Sequence, residues 1–462
     1  MTPIDDIPGI VGAVRAGFRS GLLSDVGSRR VQLQQLRALL IDNEEAIAAA
    51  LATDFGKPPI ETYGTEIGFT VKEIDHALKS LDTWTKPRKA KLPLALRPGS
   101  AQIVPEPLGV VLVIAPWNYP FQLQFGPLIG VIAAGNAAIL KPSELTAASS
   151  ALIATLVAEY LDERVVRVVE GGPTETEALL GQRFDHIVYT GNGKVGRTVM
   201  AAAAKHLTPV TLELGGKSPA IVLADADVDS AARRIVWGKF LNAGQTCVAP
   251  DYVLVDAAIE DRFLGSALRA VHDFYGDEPR TSPDFARIVN DRHFQRLSGL
   301  LDAGGYEAIV TGGIRDAATR YFAPTVVAGV EPSSAMMSEE IFGPVLPVLA
   351  IDSADEAIAF VNDRDKPLAL YVFGGDDAVI QRVVDSTSSG GVTINHVVLH
   401  VAAPELPFGG VGASGIGAYH GSAGFDTFTH FKPILTRPAR PDPPVLYPPY
   451  KAWKQKLMRK LM

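Results

Sequence analysis

The chain has 462 residues, 47% hydrophobic and 20% charged, which supplies enough apolar material for large cores and excludes a disordered or collagen-like protein. Its 43 Lys and Arg against 51 Asp and Glu leave a net charge of −8, the wrong sign for a broad phosphate-binding face, so nucleic acid is not an expected partner. One cysteine, Cys247, excludes an internal disulfide and a multi-thiolate metal site and points to a reducing compartment.

At roughly 100 to 200 residues per domain, two or three domains are expected. The start of the chain (Asp5, Asp6, Pro8) lacks the layout of a secretory signal. The most apolar run, Phe125 to Leu140, is interrupted by Pro127 and Asn136 and falls short of the roughly 20 residues of a spanning helix. The expectation is a cytoplasmic protein without a transmembrane segment.

From Val11 to Trp84 the pattern is helical, with Val31, Leu33, Leu36, Leu39, Leu40, Ile47 and Leu51 recurring at threes and fours. Pro87, Pro93, Pro98, Pro105 and Pro107 then punctuate an excursion, Lys86 to Pro107, in which Ala101 to Val104 can pair as a short strand. This stretch reads as an arm. Apolar runs next alternate with helical patterns: strands at Val110 to Ala115, Ala137 to Leu140, Val165 to Val169 and His186 to Thr190, helices at Thr146 to Tyr160 and Lys194 to His206. That cadence predicts a parallel sheet covered on both faces. It restarts after Gly215 and Gly216, with strands at Ala220 to Leu223, Tyr252 to Val255, Ala308 to Thr311, Val345 to Leu349, Ala369 to Phe373 and Val392 to Ile394. The fold class expected is therefore α/β, two doubly wound parallel-sheet domains with a small β arm. Beyond Pro433 the chain is too proline-rich for a third domain, and it ends in YKAWKQKLMRKLM. There Trp453, Leu457 and Leu461 share one helical face among Lys451, Lys454, Lys456, Arg459 and Lys460. Such a basic amphipathic helix can lie on an anionic membrane surface or pack on its own or a partner subunit.

Several short stretches carry chemistry. Gly191, Gly193 and Gly196 form a GxGxxG between a strand and a helix, where backbone amides can approach a pyrophosphate; the alternative is a tight structural turn. The same template offers Glu213 as a ribose-binding acid at about the right spacing. Glu213 also sits in TLELGGKSP at a strand end, where α/β proteins place catalytic groups, or is a solvated or capping carboxylate. Cys247 lies in NAGQTCVAP, whose polar flanks (Asn242, Gly244, Gln245, Thr246) are not a core pattern, which makes it the best nucleophile candidate. In PWNYP two prolines stiffen a loop around Asn118, whose amide N–H can serve an oxyanion hole or a simple turn. Lys141 and Glu144 of LKPSE can grip ribose hydroxyls at another strand end or start a helix. His396 and His400 are four apart without an intervening HExxH carboxylate, so no metal is expected.

In this order PWNYP, KPSE, GNGKVG, LELGGKSP, NAGQTC, EEIFGP (Glu339 to Pro344) and PFGGVGASGIG (Pro407 to Gly417) resemble the NAD(P)-dependent aldehyde dehydrogenases, and LPFGGVGASGIGAYHG looks most like the class 3 branch acting on fatty and aromatic aldehydes. The resemblance implies Cys247 as nucleophile, Glu213 as the base that activates water, and Asn118 with the Cys247 N–H as oxyanion hole. It implies that Lys141 and Glu144 hold the adenosine ribose, that Gly191, Gly193, Val195 and Gly196 line the pyrophosphate, and that Glu340 and Phe342 position the nicotinamide end. The ribose role thereby moves from Glu213 to Glu144. NAD is the expected cofactor, with NADP also usable.

By the same resemblance residues 1–85 and 108–214 form the NAD-binding domain, 215–405 the catalytic domain, 86–107 and 406–435 an oligomerisation element, and 436–462 a tail; a homodimer is expected, its arm adding a strand to the partner's sheet. Two features depart from the class 3 pattern: Ala243 stands where relatives carry a second cysteine, and His396 and Ala402 to Pro404 differ beside the expected aldehyde tunnel. Two rival readings stay open, an acylating dehydrogenase that transfers the thioester to coenzyme A and a non-catalytic aldehyde-binding protein.

Overall fold

The structure, a computed structural model, describes residues 1–461, without the side chain of Leu461. Four helices, Ile7–Arg19, Val26–Asp42, Glu44–Phe55 and Gly68–Trp84, account for the N-terminal pattern. Asp25 starts the second by accepting the Ser28 N–H, and Gly56, left-handed at φ 66°, ends the third. Leu33, Leu36, Leu39 and Leu40 are fully buried, but Val31, which shares their periodicity, is 49% exposed. The apolar stripe is filled without it, and its side chain lies on the solvent side of the helix.

A six-stranded sheet runs in the order Gly415–Ile416, Val210–Leu214, His186–Gly191, Val110–Ile114, Ala137–Lys141, Val166–Val168, all parallel but the first. Val111, Val113, Leu140 and Val188 enter the main core, while Val110, Leu112, Ile187, Tyr189, Leu212 and Leu214 enter a second one. Burial on both faces is why these strands read as unbroken apolar runs. The order grows outward from Val110–Ile114 on one side and then restarts on the other, which opens a crevice at the carboxyl ends of Val110–Ile114 and His186–Gly191. GNGKVG follows the fourth of the parallel strands in chain order, not the first as in the dinucleotide template.

The chain changes sheets across Gly215 and Gly216. The second sheet has seven strands in the order Ala308–Thr311, Thr325–Ala328, Val345–Ile351, Tyr252–Asp256, Pro219–Val222, Ala369–Phe373, Gly391–Ile394, all parallel except the first. Thr325–Ala328 is a strand without a sequence signal: four residues between Pro324 and Gly329 show no alternation because all four are buried.

The arm is a three-stranded antiparallel sheet in which Ser100–Pro107 pairs along its whole length with Thr429–Thr436 of the same chain and, on its other edge, with Arg88–Ala90. The expected strand Ala101 to Val104 is thus the middle of a longer one. In the tail, helix Ala452–Leu461 is tied down through Lys454, whose Nζ donates to the Tyr447 carbonyl at 2.6 Å, while Trp453 and Leu457 stay exposed. Of the apolar face read from the sequence, the Leu461 side chain lies outside the described residues. No helix among the described residues is long and apolar enough to cross a membrane.

Candidate active site

Helix Val228–Phe240 ends in a turn whose residues Asn242, Ala243 and Gly244 are all left-handed, at φ 55°, 51° and 73°. Side chain at Gly244 is impossible as well as strained, because a Cβ there would collide with the Gly343 carbonyl. The turn delivers Cys247, half-buried, into the wall of an apolar cavity of about 360 Å³. Tyr119, Trp237, Leu241, Val401, Phe408 and Tyr419 also line it.

The loop after Val110–Ile114 is stitched to this turn. Asn118 Nδ2 donates to the Gln245 carbonyl at 3.0 Å, and Asn242 Nδ2 donates to the Asn118 carbonyl at 2.9 Å. Gln245 is fixed in turn, donating to the Asn242 and Arg287 carbonyls and accepting from the Val289 N–H, each at 3.0 Å. Tyr119 and Thr246 share a hydroxyl hydrogen bond of 2.6 Å. Asn118 thus has one amide N–H committed to the loop and the other free to meet a developing oxyanion.

Glu213, on the strand Val210–Leu214, is 2% exposed and neither carboxyl oxygen has a hydrogen-bond partner among the described residues. Burial holds its pKa well above the carboxylate range. Burial also pushes the Cys247 thiol up to about 12, helped by the charges of Glu340 and Glu213. Glu340 is raised to about 8, first by burial and then by Asp251. Its carboxyl group lies so close to Gly215 that a Cβ there would collide with it. Two residues on, Phe342 (φ 47°) packs edge-on against Trp117 at 5.4 Å, which joins EEIFGP to the PWNYP loop.

Along the crevice, Lys141 ends the strand Ala137–Lys141 with its ammonium buried. Nζ donates to the Pro142 carbonyl at 2.7 Å, which leaves two N–H groups for other acceptors. Burial lowers its pKa, opposed by Glu144, Glu175 and Glu170. Glu144 itself is exposed. Helix Gly193–Ala204 opens at the second glycine of GNGKVG, and a Cβ on Gly196 would lie 2.9 Å from Leu214. Asn192 caps this helix by accepting the Val195 N–H at 3.0 Å, so that amide is already occupied and the Val195 side chain remains 37% exposed. The residues fall into two groups, Lys141, Glu144 and Gly191 to Gly196 at strand ends and a helix start of the first sheet, and Asn118, Glu213 and Glu340 around Cys247. His396 accepts the Val397 N–H and His400 bonds Thr393. No group of three or more His, Cys, Asp or Glu that could hold a metal occurs among the described residues.

Two contributors had no sequence signal. Glu61 stands in the cavity wall and accepts the Asn242 N–H at 2.9 Å; burial raises it to about 7 against the pull of Lys57. The buried pair Lys57 and Glu66, 2.6 Å apart, sits behind it, with Glu66 also accepting the Phe121 and Gln122 N–H groups that start helix Gln122–Ala134.

The aldehyde dehydrogenase family model matches residues 5–434. The chain is 51% identical over 424 residues to the mouse aldehyde dehydrogenase family 3 member A2, covering 92% of this chain and 87% of that protein. It is 48% identical over 437 residues to the rat dimeric NADP-preferring aldehyde dehydrogenase, covering 95% of each. A substrate-bound structure of the Staphylococcus aureus enzyme AldH superposes with a TM-score of 0.96 at 46% identity, covering 100% of this chain and 99% of that one.

Proposed function

The chain belongs to the aldehyde dehydrogenase family, an NAD(P)-dependent enzyme that oxidises an aldehyde to the carboxylic acid, and on that premise we propose that Cys247 is its nucleophile, Glu213 its water-activating base and Asn118 its oxyanion donor. The observation that carries this assignment is Cys247 in the wall of an apolar cavity, with Asn118 bonded to the residue two before it and an unpartnered Glu213 within electrostatic reach.

The Cys247 thiol releases its proton to solvent as the sulfur adds to the aldehyde carbonyl carbon, and the oxygen that gains charge meets the free N–H of Asn118 and the Cys247 backbone amide. Bound NAD(P)+ supplies the hydride acceptor. Cys247 then holds the acyl group as a thioester, which water hydrolyses as Glu213 takes its proton. Sulfur suits both halves, since a thiol ionises more readily than a hydroxyl and a thioester hydrolyses readily. For the dinucleotide we assign Lys141 and Glu144 to the adenosine ribose, Gly191, Gly193, Val195 and Gly196 to the pyrophosphate, and Glu340 and Phe342 to the nicotinamide end. The donors of Lys141 left unused and the backbone-lined helix start fit those groups.

The apolar cavity wall supports an aliphatic or aromatic substrate of medium or long chain. Glu213 favours hydrolysis over transfer to coenzyme A, which requires no water-activating base. We assign 1–85 and 108–214 to the cofactor domain, 215–405 to the catalytic domain, and 86–107 with 406–435 to a homodimer interface in a cytoplasmic enzyme. Exposed Trp453 and Leu457 beside Lys451, Lys456 and Arg459 support contact of the tail with an anionic membrane surface. Removing residues after Pro449 should weaken binding to anionic liposomes; unchanged binding contradicts that contact. The test of the function itself is NADH formation with a panel of aldehydes, lost in Cys247→Ser, with free acid and not acyl-coenzyme A as the product.

A further inference from the structure

Gln124 Oε1, Thr190 Oγ1, both Glu213 carboxyl oxygens and the Tyr419 hydroxyl are fully buried and have no hydrogen-bond partner among the described residues. They share one layer. Thr190 and Glu213 are cross-strand partners on adjacent parallel strands, so their side chains leave the same face of the sheet. It is the face opposite Tyr189, Leu212 and Leu214, which belong to the second core. Gln124 reaches the same region from helix Gln122–Ala134, donating through Nε2 to the Val113 carbonyl at 3.2 Å, and Val113 pairs with Val188, two residues before Thr190.

Tyr419 closes the layer at its Cys247 end. A Cβ on Gly126 would lie 3.5 Å from its ring, so the ring rests on the same helix. Reciprocal backbone hydrogen bonds with Phe408, 2.8 and 2.9 Å, and the His420 ring at 4.4 Å hold it there. Tyr419 also lines the cavity that contains Cys247. Charge on Glu213 or Cys247 would raise its phenol further, on top of the effect of burial, and the Gln122 carboxamide approaches the hydroxyl without hydrogen-bond geometry.

Buried polar groups are paired in folded proteins, and a cluster that lacks protein partners in one layer calls for a shared one, which water supplies. We propose that Tyr419, Gln124 and Thr190 form with Glu213 a buried water site that positions the water consumed in thioester hydrolysis, with Tyr419 as the positioning residue nearest Cys247. This rests on the reading of Glu213 as the base. The water oxygen bonds to the thioester carbonyl carbon, one of its protons passes to the Glu213 carboxylate, and the C–S bond breaks to release the acid and the Cys247 thiolate.

Tyr419→Phe keeps the ring and its packing and removes only the hydroxyl. Rapid mixing with aldehyde and NAD should give an NADH burst of about one per site at close to the native rate, followed by turnover slowed about tenfold, with the acyl adduct on Cys247 visible by intact-mass spectrometry. Thr190→Val should shift the same balance in the same direction. A high-resolution crystal structure should show water bonded to Tyr419 Oη and to Glu213. Native deacylation in Tyr419→Phe, or a dry site, overturns the proposal. Glu213→Gln run in parallel separates the two readings: if it too deacylates at the native rate, the role of Glu213 itself fails, whereas slow deacylation in Glu213→Gln alone overturns only the water site.

Discussion

Asn242 and Asn118 hold each other in place: the Asn242 amide donates to the Asn118 carbonyl at 2.9 Å, while the Asn118 amide donates to the Gln245 carbonyl two residues before Cys247. The proposed oxyanion donor and the proposed nucleophile are therefore fixed by one short network across two distant segments. Asn242→Gly, which keeps the left-handed backbone but loses the bond, should lower kcat by about 10- to 100-fold with little change in secondary structure. Asn242→Ala should add a backbone cost of about 1 kcal/mol in urea unfolding. A glycine variant with native kcat would show that the bond positions nothing.

The Lys57 and Glu66 pair is fully buried and carries the start of helix Gln122–Ala134. Glu66→Ala leaves an uncompensated ammonium and should cost about 3–5 kcal/mol in urea unfolding. Replacing both partners together, Lys57→Met with Glu66→Leu, should cost less than Glu66→Ala alone, since no charge is then stranded. A double variant as unstable as the single one contradicts this.

Stability should fall in mild acid through His186. Burial lowers its pKa to about 4 from 6.5, so between those values the unfolded chain binds the proton and the folded chain does not. Its contribution is full above about pH 6.5 and is lost as pH falls toward 4, to the extent of about 3 kcal/mol. His186→Gln can keep a bond to Thr211, 2.9 Å from the native Nε2, without titrating. The loss in Tm from pH 7.5 to pH 5 should be smaller in this variant than in the native chain; equal losses would remove His186 as the cause.

Glu144 is exposed at the mouth of the crevice, where a carboxylate favours a ribose hydroxyl and repels a 2′-phosphate. The native enzyme should show the higher kcat/KM with NAD, and Glu144→Gln should raise kcat/KM for NADP relative to NAD by about tenfold. An unchanged ratio would place the discrimination elsewhere.

The α/β fold is legible because most of its strands are covered on both faces and so appear as apolar runs: Ala369–Phe373, buried throughout, has the bounds that its run suggests, as does the more exposed edge strand Ala308–Thr311. Periodicity misled at Val31, which matches the helical spacing yet faces solvent. The polar flanks of Cys247 do not read as core, yet Asn242 and Gln245 are completely buried and spend their polarity on internal hydrogen bonds. Glu61, Glu66 and Tyr419 left no local trace because their meaning lies in contacts across segments far apart in the chain. The same holds for the pairing of Ser100–Pro107 with Thr429–Thr436, whose partner strand no periodicity could name.

On the proposed mechanism the single thiol of this chain, Cys247, carries the acyl group. Glu213→Gln, which slows hydrolysis, should be mixed with aldehyde and NAD, quenched in acid and digested for peptide mass spectrometry. The account predicts one acyl adduct per chain, on the peptide containing Cys247 and removed by hydroxylamine as a thioester should be. An NADH burst without any adduct, or with the adduct on another residue, would contradict it.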